Sequence, residues 1–224
     1  MVEVEAARGR GPSVAELVES LQSAIVAGDL VPNQRLIEAD IAAEYGASRG
    51  TVRAALSELT VEGFVERLPN RGARVRAVSA EEAVEITEVR GALEALCARR
   101  AAERITDGQA ADLRALAGRM REAVAEGDRE LYSECARALH AAILEISGQK
   151  TAAATIRRLR GQAAQFQFRL ALQPGRPRAL LPHHLEIIDA VCAHDGAAAA
   201  EAVLVHLGSV VEAIRATESQ TVRG

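Results

Sequence analysis

Residues Leu36 to Arg53, LIEADIAAEYGASRGTVR, constrain the chain more than any other stretch. Ile37, Ile41 and Tyr45 repeat every four residues, and Val52, Ala55, Leu56 and Leu59 form one stripe at helical spacing. Two short amphipathic helices therefore flank Gly46. A residue without Cβ can take the left-handed conformation that ends the first helix, and Ser48 is placed to cap the second. On a helical wheel Arg53 and Ser57 lie opposite the apolar stripe, while Arg49 stands in the first turn. A cation at a helix N-terminus is mildly unfavourable, so Arg49 is better explained by an external anion than by helix stability. This arrangement lays one helix in a DNA groove. From these residues alone, the alternative is a surface helical hairpin with two solvated arginines.

The flanking sequence favours the first reading. Phe64 to Leu68 and Ala73 to Val78 are short alternating segments, joined by the turn formers Pro69-Asn70-Arg71-Gly72. A β-hairpin directly after a recognition helix is a wing. Its tip carries Arg71 and Gly72, and the glycine permits close approach of backbone to a sugar-phosphate chain. Upstream, Ser13-Val14-Ala15-Glu16 has capping-box spacing and Leu17, Leu21, Ala24 and Ile25 form an apolar face, which predicts a helix over 13–27 ended by Gly28-Asp29. Residues 13–78 are expected to form a winged helix-turn-helix, preceded by a flexible leader over 1–12.

Charge refines this expectation. The 224 residues include 27 basic and 31 acidic side chains, a formal charge of −4, so the chain carries no global polycationic signature. Between Arg49 and Arg76, however, six arginines face three glutamates, a local balance of +3. Such a patch favours phosphate contact with salt-dependent affinity. With so few charges per subunit, specific binding calls for a dimer that reads two half-sites.

Beyond the wing the sequence is rich in Ala, Leu, Glu and Arg and almost free of aromatics, the composition of helices. Six helices are predicted, near 80–104, 107–126, 128–147, 149–171, 178–194 and 196–218, with Gln173 to Pro177 as a loop. The fold class is therefore mainly α: an N-terminal winged helix-turn-helix plus an all-α six-helix bundle over 79–224. His140, His184 and His206 fall on three of those helices. Bundle cores build metal sites from facing helices, and neutral imidazole is a common zinc ligand, although each histidine taken singly is as readily a core or surface residue. Arg90 stands one turn before Glu94 and can form a surface ion pair with it.

No signal peptide is evident, and no uninterrupted apolar stretch approaches the ~20 residues that span a bilayer. Cys97, Cys135 and Cys192 form no disulfide framework, which suits the cytoplasm; each reads as a small core residue, with a redox role left open for Cys135 beside His140.

The stretch AIVAGDLVPNQRLIEADIAAEYGASRGTVRAALSELTVEGFVERLPNRGARV is similar to the DNA-binding domain of the GntR regulators. The resemblance implies contacts to double-stranded operator DNA from Ser48, Arg49, Thr51 and Arg53 and from the wing at Arg71 and Gly72. Where many members carry Thr-Pro after the Ser-Arg pair, this chain has Gly50-Thr51, so base preference can differ while docking is shared. The rest resembles the helical effector (FCD) domain of the FadR-like branch, and its six predicted helices look like the VanR-type subgroup. That likeness rests on Glu88-Val89-Arg90-Gly91-Ala92-Leu93-Glu94, on Leu139-His140-x-x-Ile143 before Ser147-Gly148, on His184-x-x-Ile187-x-Asp189-Ala190-Val191, and on His206.

It implies a homodimeric, ligand-responsive transcription regulator, most often a repressor, with Arg90, His140, His184 and His206 around a small carboxylate effector. In metal-binding members an Asp four residues before the first histidine joins three histidines around a divalent ion. Here that position is Ala136, whose methyl group ligates nothing, so the zinc or nickel site implied for His140, His184 and His206 lacks its carboxylate. Two alternatives stay open: a metal-dependent hydrolase using the three histidines, and a DNA-binding protein whose effector domain no longer responds.

Overall fold

Helix starts in this chain are set by side chains that satisfy the free N–H groups of the first turn. In the computed structural model, which describes residues 11–68, 72–163, 166, 170 and 173–221, Ser13 and Glu16 form the expected capping box at the head of α1 (Val14–Ala27). Ser48 Oγ accepts the Thr51 N–H at the head of α3 (Arg49–Val61), and Gly46, at φ +62°, turns the chain out of α2 (Glu38–Glu44). The expected leader lies outside the described residues except for Gly11 and Pro12, as does the wing tip 69–71.

The chain divides into two units, residues 1–77 and 78–224. In the first, β2 (Val65–Leu68) and β3 (Gly72–Val75) pair antiparallel, with Val65 opposite Val75 and Leu68 opposite Gly72. A third strand that periodicity did not reveal, β1 (Arg35–Leu36), adds to the far edge of β3, so the sheet order is β1-β3-β2. Two residues are too few to show alternation. β3 is also shorter than expected. It stops at Val75, and residues 76–78 lead out of the sheet. Leu17, Leu21, Val52, Leu56, Leu59, Val65 and Val75 pack into one buried core, which binds the helices to the wing. Truncating a side chain buried there, such as Leu59, costs ~2–5 kcal/mol.

The second unit contains α4 (Ala80–Arg104), α5 (Asp107–Glu126), α6 (Arg129–Ser147), α7 (Lys150–Gln162), α8 (Arg176–Cys192) and α9 (Gly196–Thr221). Ser79, Thr106 and Asp128 cap three of them as side-chain acceptors. The helix expected over 149–171 is interrupted after Gln162, and Phe166 and Leu170, described beyond the break, are helical again. At the break Ala163 leaves the helical conformation and its carbonyl accepts the Phe166 N–H. Gly161 in the final turn is a weak helix former and favours the break. Conversely, Arg176 and Pro177 belong to α8 rather than to the preceding loop. Gly175 supplies the left-handed residue, and the fixed φ of Pro177 suits a first turn.

Helix α4 is central: α6, α7, α8 and α9 all pack on it. Among the described residues, Gly196–Thr217 of α9 is one segment long and apolar enough to cross a membrane by length and composition. Its apolar face packs into the core instead, through Ala199, Val203 and Leu207.

Candidate functional site

On the winged unit, Ser48, Arg49, Arg53 and Gly72 are exposed and Thr51 is partly so. The Ser48 and Thr51 hydroxyls lie 2.9 Å apart, so both are held by the cap. Arg53 Nε donates to Glu38 Oε2 at 2.8 Å, a surface pair between α3 and α2. Arg67, at the base of the wing, donates to Ser57 Oγ on α3 at 2.5 Å and ties wing to helix. Gly72, at φ +86°, occupies a backbone conformation that side chains rarely adopt. Arg71, the other expected wing contact, lies outside the described residues.

In the second unit His140 of α6, His184 of α8 and His206 of α9 converge. One nitrogen from each lies within 4.8 Å of the others, and the ring centroids are 4.6 to 5.6 Å apart. A tetrahedral zinc with ~2.0–2.1 Å bonds needs nitrogens roughly 3.4 Å apart, a spacing inside the 4.8 Å limit that these three satisfy. His184 and His206 are buried, and His140 keeps a little exposure. His184 Nε2 and His206 Nδ1 are buried without a hydrogen-bond partner. Burial is the main cause that pushes the pKa of all three below the usual histidine value. For His140, Arg160 and the other two rings add to it. For His206, His184 and His183 do so. His184 falls to about 4, with His183 and Arg176 contributing. Neutral imidazoles, two of them with a buried unpartnered nitrogen, are a donor set that fits a divalent ion. Ala136 packs against the core one turn before His140 and offers no ligand.

Arg90 does pair with Glu94, but the pair is buried rather than at the surface. Arg90 Nη2 and Glu94 Oε1 are 2.9 Å apart, with side chains 5% and 6% exposed. Arg160 of α7 grips the same carboxylate through Nη2 to Oε2 at 2.8 Å and Nε to Oε1 at 3.2 Å. Burial alone would push the Glu94 carboxyl up; Arg90 and Arg160 outweigh it and hold its pKa below the usual value. Two guanidiniums on one carboxylate leave a net positive charge beside the histidines. Glu94 Oε2 lies 3.9 Å from His140 Nδ1, and Arg90 Nη1 is buried with no partner. The cluster is therefore suited to an anion.

Four residues of this pocket were missed by sequence reasoning: Glu94 as a buried group, Arg160, Tyr132 and His183. Tyr132 could have been found, since it stands two turns before His140 on the same face of α6. Arg160 follows Arg157 and Arg158, and nothing in that run marks which arginine turns inward. Cys135 is buried in the core and burial pushes its thiol up, which argues against reactivity.

Comparison with known proteins agrees with this division. The family described as "Bacterial regulatory proteins, gntR family" matches residues 13–75, and the FCD domain family matches residues 85–209. The HTH-type transcriptional repressor RspR of Escherichia coli (strain K12) is 27% identical over 204 residues, covering 91% of this chain and 90% of its own. The HTH-type transcriptional repressor GlaR of the same strain is 28% identical over 195 residues, covering 84% and 89%. Among solved structures, E. coli McbR/YncC has a TM-score of 0.79 at 22% identity, over 92% of this chain and 98% of that one, which is a likeness of fold. These relatives and both families are transcription regulators, not enzymes, and nothing in them favours the hydrolase reading. A reader helix with its wing on one unit and a ligand-binding effector domain on the other place the chain in the GntR family of bacterial transcription regulators, as an FCD-domain member whose DNA binding responds to a ligand.

Proposed function

We propose that this regulator is a cytoplasmic, homodimeric repressor, with no membrane attachment, that a small carboxylate metabolite releases from or adjusts on its operator. The observation that carries the effector reading is the buried, positively charged cluster of Arg90 and Arg160 beside three neutral histidines. A carboxylate arriving there gains the unpartnered Arg90 Nη1 as a donor. His140, His184 and His206 are the residues that would hold a divalent ion, zinc or nickel. When bound, it supplies an electrophilic point to which the effector carboxylate attaches. Without a carboxylate at position 136, that site keeps more net positive charge, which favours anion capture.

Ser48, Arg49, Thr51 and Arg53 would meet DNA at the start of α3, with Gly72 and Arg71 from the wing. Repression is supported by the names of RspR and GlaR. Large apolar side chains left exposed on α4 and α9, Val89, Leu96, Leu204 and Val205, support a face for a second copy. Effector control requires that the ligand favour one dimer geometry by a differential binding energy, typically ~1–3 kcal/mol.

The test combines three measurements on the full chain. Gel-shift binding to its own promoter region should be clearly weakened in Arg49→Ala and Arg53→Ala. Sedimentation should report a dimer. Zinc or nickel added to chelator-treated protein should raise the melting temperature, reversibly with chelator. Absence of any metal shift sinks the metal reading, and a monomer that still binds the operator sinks the dimeric one.

A further inference from the structure

Tyr132, Ala136 and His140 stand at i, i+4 and i+8 on α6, so they share one face of the helix. Ala136 cannot reach an ion. Tyr132, one turn earlier, reaches across to α8, where its hydroxyl lies 2.8 Å from Nδ1 of His184. Both side chains are almost wholly buried, at 3% and 2% exposure. The other ring nitrogen of His184, Nε2, is buried and has no partner. One nitrogen of this ring is thus fixed by a hydroxyl, and the other is left for a ligand.

We propose that Tyr132 is a positioning residue that fixes the orientation of His184 in either tautomer, presenting Nε2 to a divalent ion. It thereby supplies, through a hydrogen bond to a ligand, some of the order lost where Ala136 replaces a direct ligand. The inference rests on the metal reading above. Metal-binding histidines almost always donate their second N–H to an oxygen, which fixes the ring and makes the ligating nitrogen more basic. A phenol hydroxyl suits this position because it both accepts and donates. It accepts from Nδ1–H when Nε2 spends its lone pair on the ion. It donates to Nδ1 when the ion is absent and Nε2 carries the proton. A carboxylate could only accept, and a phenylalanine could do neither. The tautomer exchange moves one proton between the ring nitrogens, so His184 stays neutral in both states.

The experiment compares wild type, Tyr132→Phe, His184→Ala and the double variant as full chains. Zinc affinity is measured by competition with a chromophoric chelator, and the histidine nitrogens are observed by ¹⁵N NMR. Tyr132→Phe keeps the ring and its packing, so a 10–100-fold loss of zinc affinity is expected from the hydroxyl alone. In the zinc-loaded wild type His184 should carry its proton on Nδ1, with the hydrogen-bond shift absent from Tyr132→Phe. In the His184→Ala background, Tyr132→Phe should cause no further loss, because the tyrosine acts through that ring. Additive losses, or equal affinity in wild type and Tyr132→Phe, overturn the inference and leave the metal site standing. A wild type that takes up no zinc instead removes the metal reading, and this inference with it.

Discussion

Arg53–Glu38 on the winged unit and Arg90–Glu94 in the helical unit are the same contact at two depths. Their N···O distances are 2.8 and 2.9 Å, but side-chain exposure is 67% and 36% in the first and 5% and 6% in the second. Contact length therefore says little about role. The exposed pair is worth ~0–1 kcal/mol and is screened by salt, so Arg53 can exchange its carboxylate for a phosphate at small cost. The buried pair has lost its hydration, and its arginine can exchange Glu94 only for another anion that arrives in the pocket. On the proposed function, the exposed arginine is available to a polymer outside and the buried one to a small molecule within.

The sharpest way to break this comparison is Glu94→Ala. It strands Arg90 in the core beside Arg160, and removing one partner of a buried pair costs ~3–5 kcal/mol. Calorimetry of the full chain should show the transition of the helical unit falling well below wild type while that of the winged unit stays in place. A loss no greater than that of Glu38→Ala would mean that burial does not separate the two pairs.

Acid should produce the next effect, and only in the helical unit. His184 has its pKa lowered to about 4 from 6.5, chiefly by burial, with His183 and Arg176 contributing. Its folded form therefore binds fewer protons than the unfolded chain between those values. Stability is complete above about pH 6.5 and is lost as pH falls toward 4, by on the order of 3 kcal/mol for this ring. His140 and His206, which face the same pocket with Arg90 and Arg160, shift in the same direction. Glu94, also lowered, adds a further loss below the ordinary carboxylate range. Thermal melts from pH 7 to 4 check this, and His184→Gln should flatten the slope; an unchanged slope would mean the ring titrates normally.

The difference in depth also explains what the sequence could and could not reveal. The capping box at Ser13, the Ser48 cap, the Gly46 turn and five of the six labelled helices among the described residues of the second unit were legible within a few residues, because caps and periodicity are local. β1 was not, since its two residues are a strand only by pairing with Arg74 and Ala73, far along the chain. The three histidines were singled out by their placement on three predicted helices and by resemblance to a family. Their convergence depends on how α6, α8 and α9 pack on one another and on α4. The partners of Glu94 split the same way: Arg90 is one turn away on its own helix, whereas Arg160 is 66 residues away and its inward turn is a tertiary fact.

A smaller effect belongs to the reader helix. Arg49 is exposed at the first turn of α3, where the helix dipole gives it no support. Arg49→Ala should leave thermal stability unchanged within about 0.5 kcal/mol, as for most surface substitutions. It should weaken operator binding by ~1–3 kcal/mol if the side chain reads a base edge. Affinities on the operator and on a scrambled duplex decide its role. Unequal losses indicate base reading, equal losses with a shallower salt slope indicate phosphate contact, and no loss removes Arg49 from the interface.

The smallest expected effect is that of Glu38→Ala, and it tests the exposed half of the comparison directly. Removing an exposed partner frees Arg53 without leaving a buried charge, so stability should change by less than about 1 kcal/mol. The substitution also deletes a negative charge beside the helix proposed to face phosphates. Operator affinity should therefore rise a few-fold at low ionic strength, and the gain should fade as salt is added. Gel-shift titrations at two salt concentrations measure it. A fall in affinity would show that Glu38 orients Arg53 for DNA rather than competing with it, and the exposed pair would then depend on its geometry no less than the buried one.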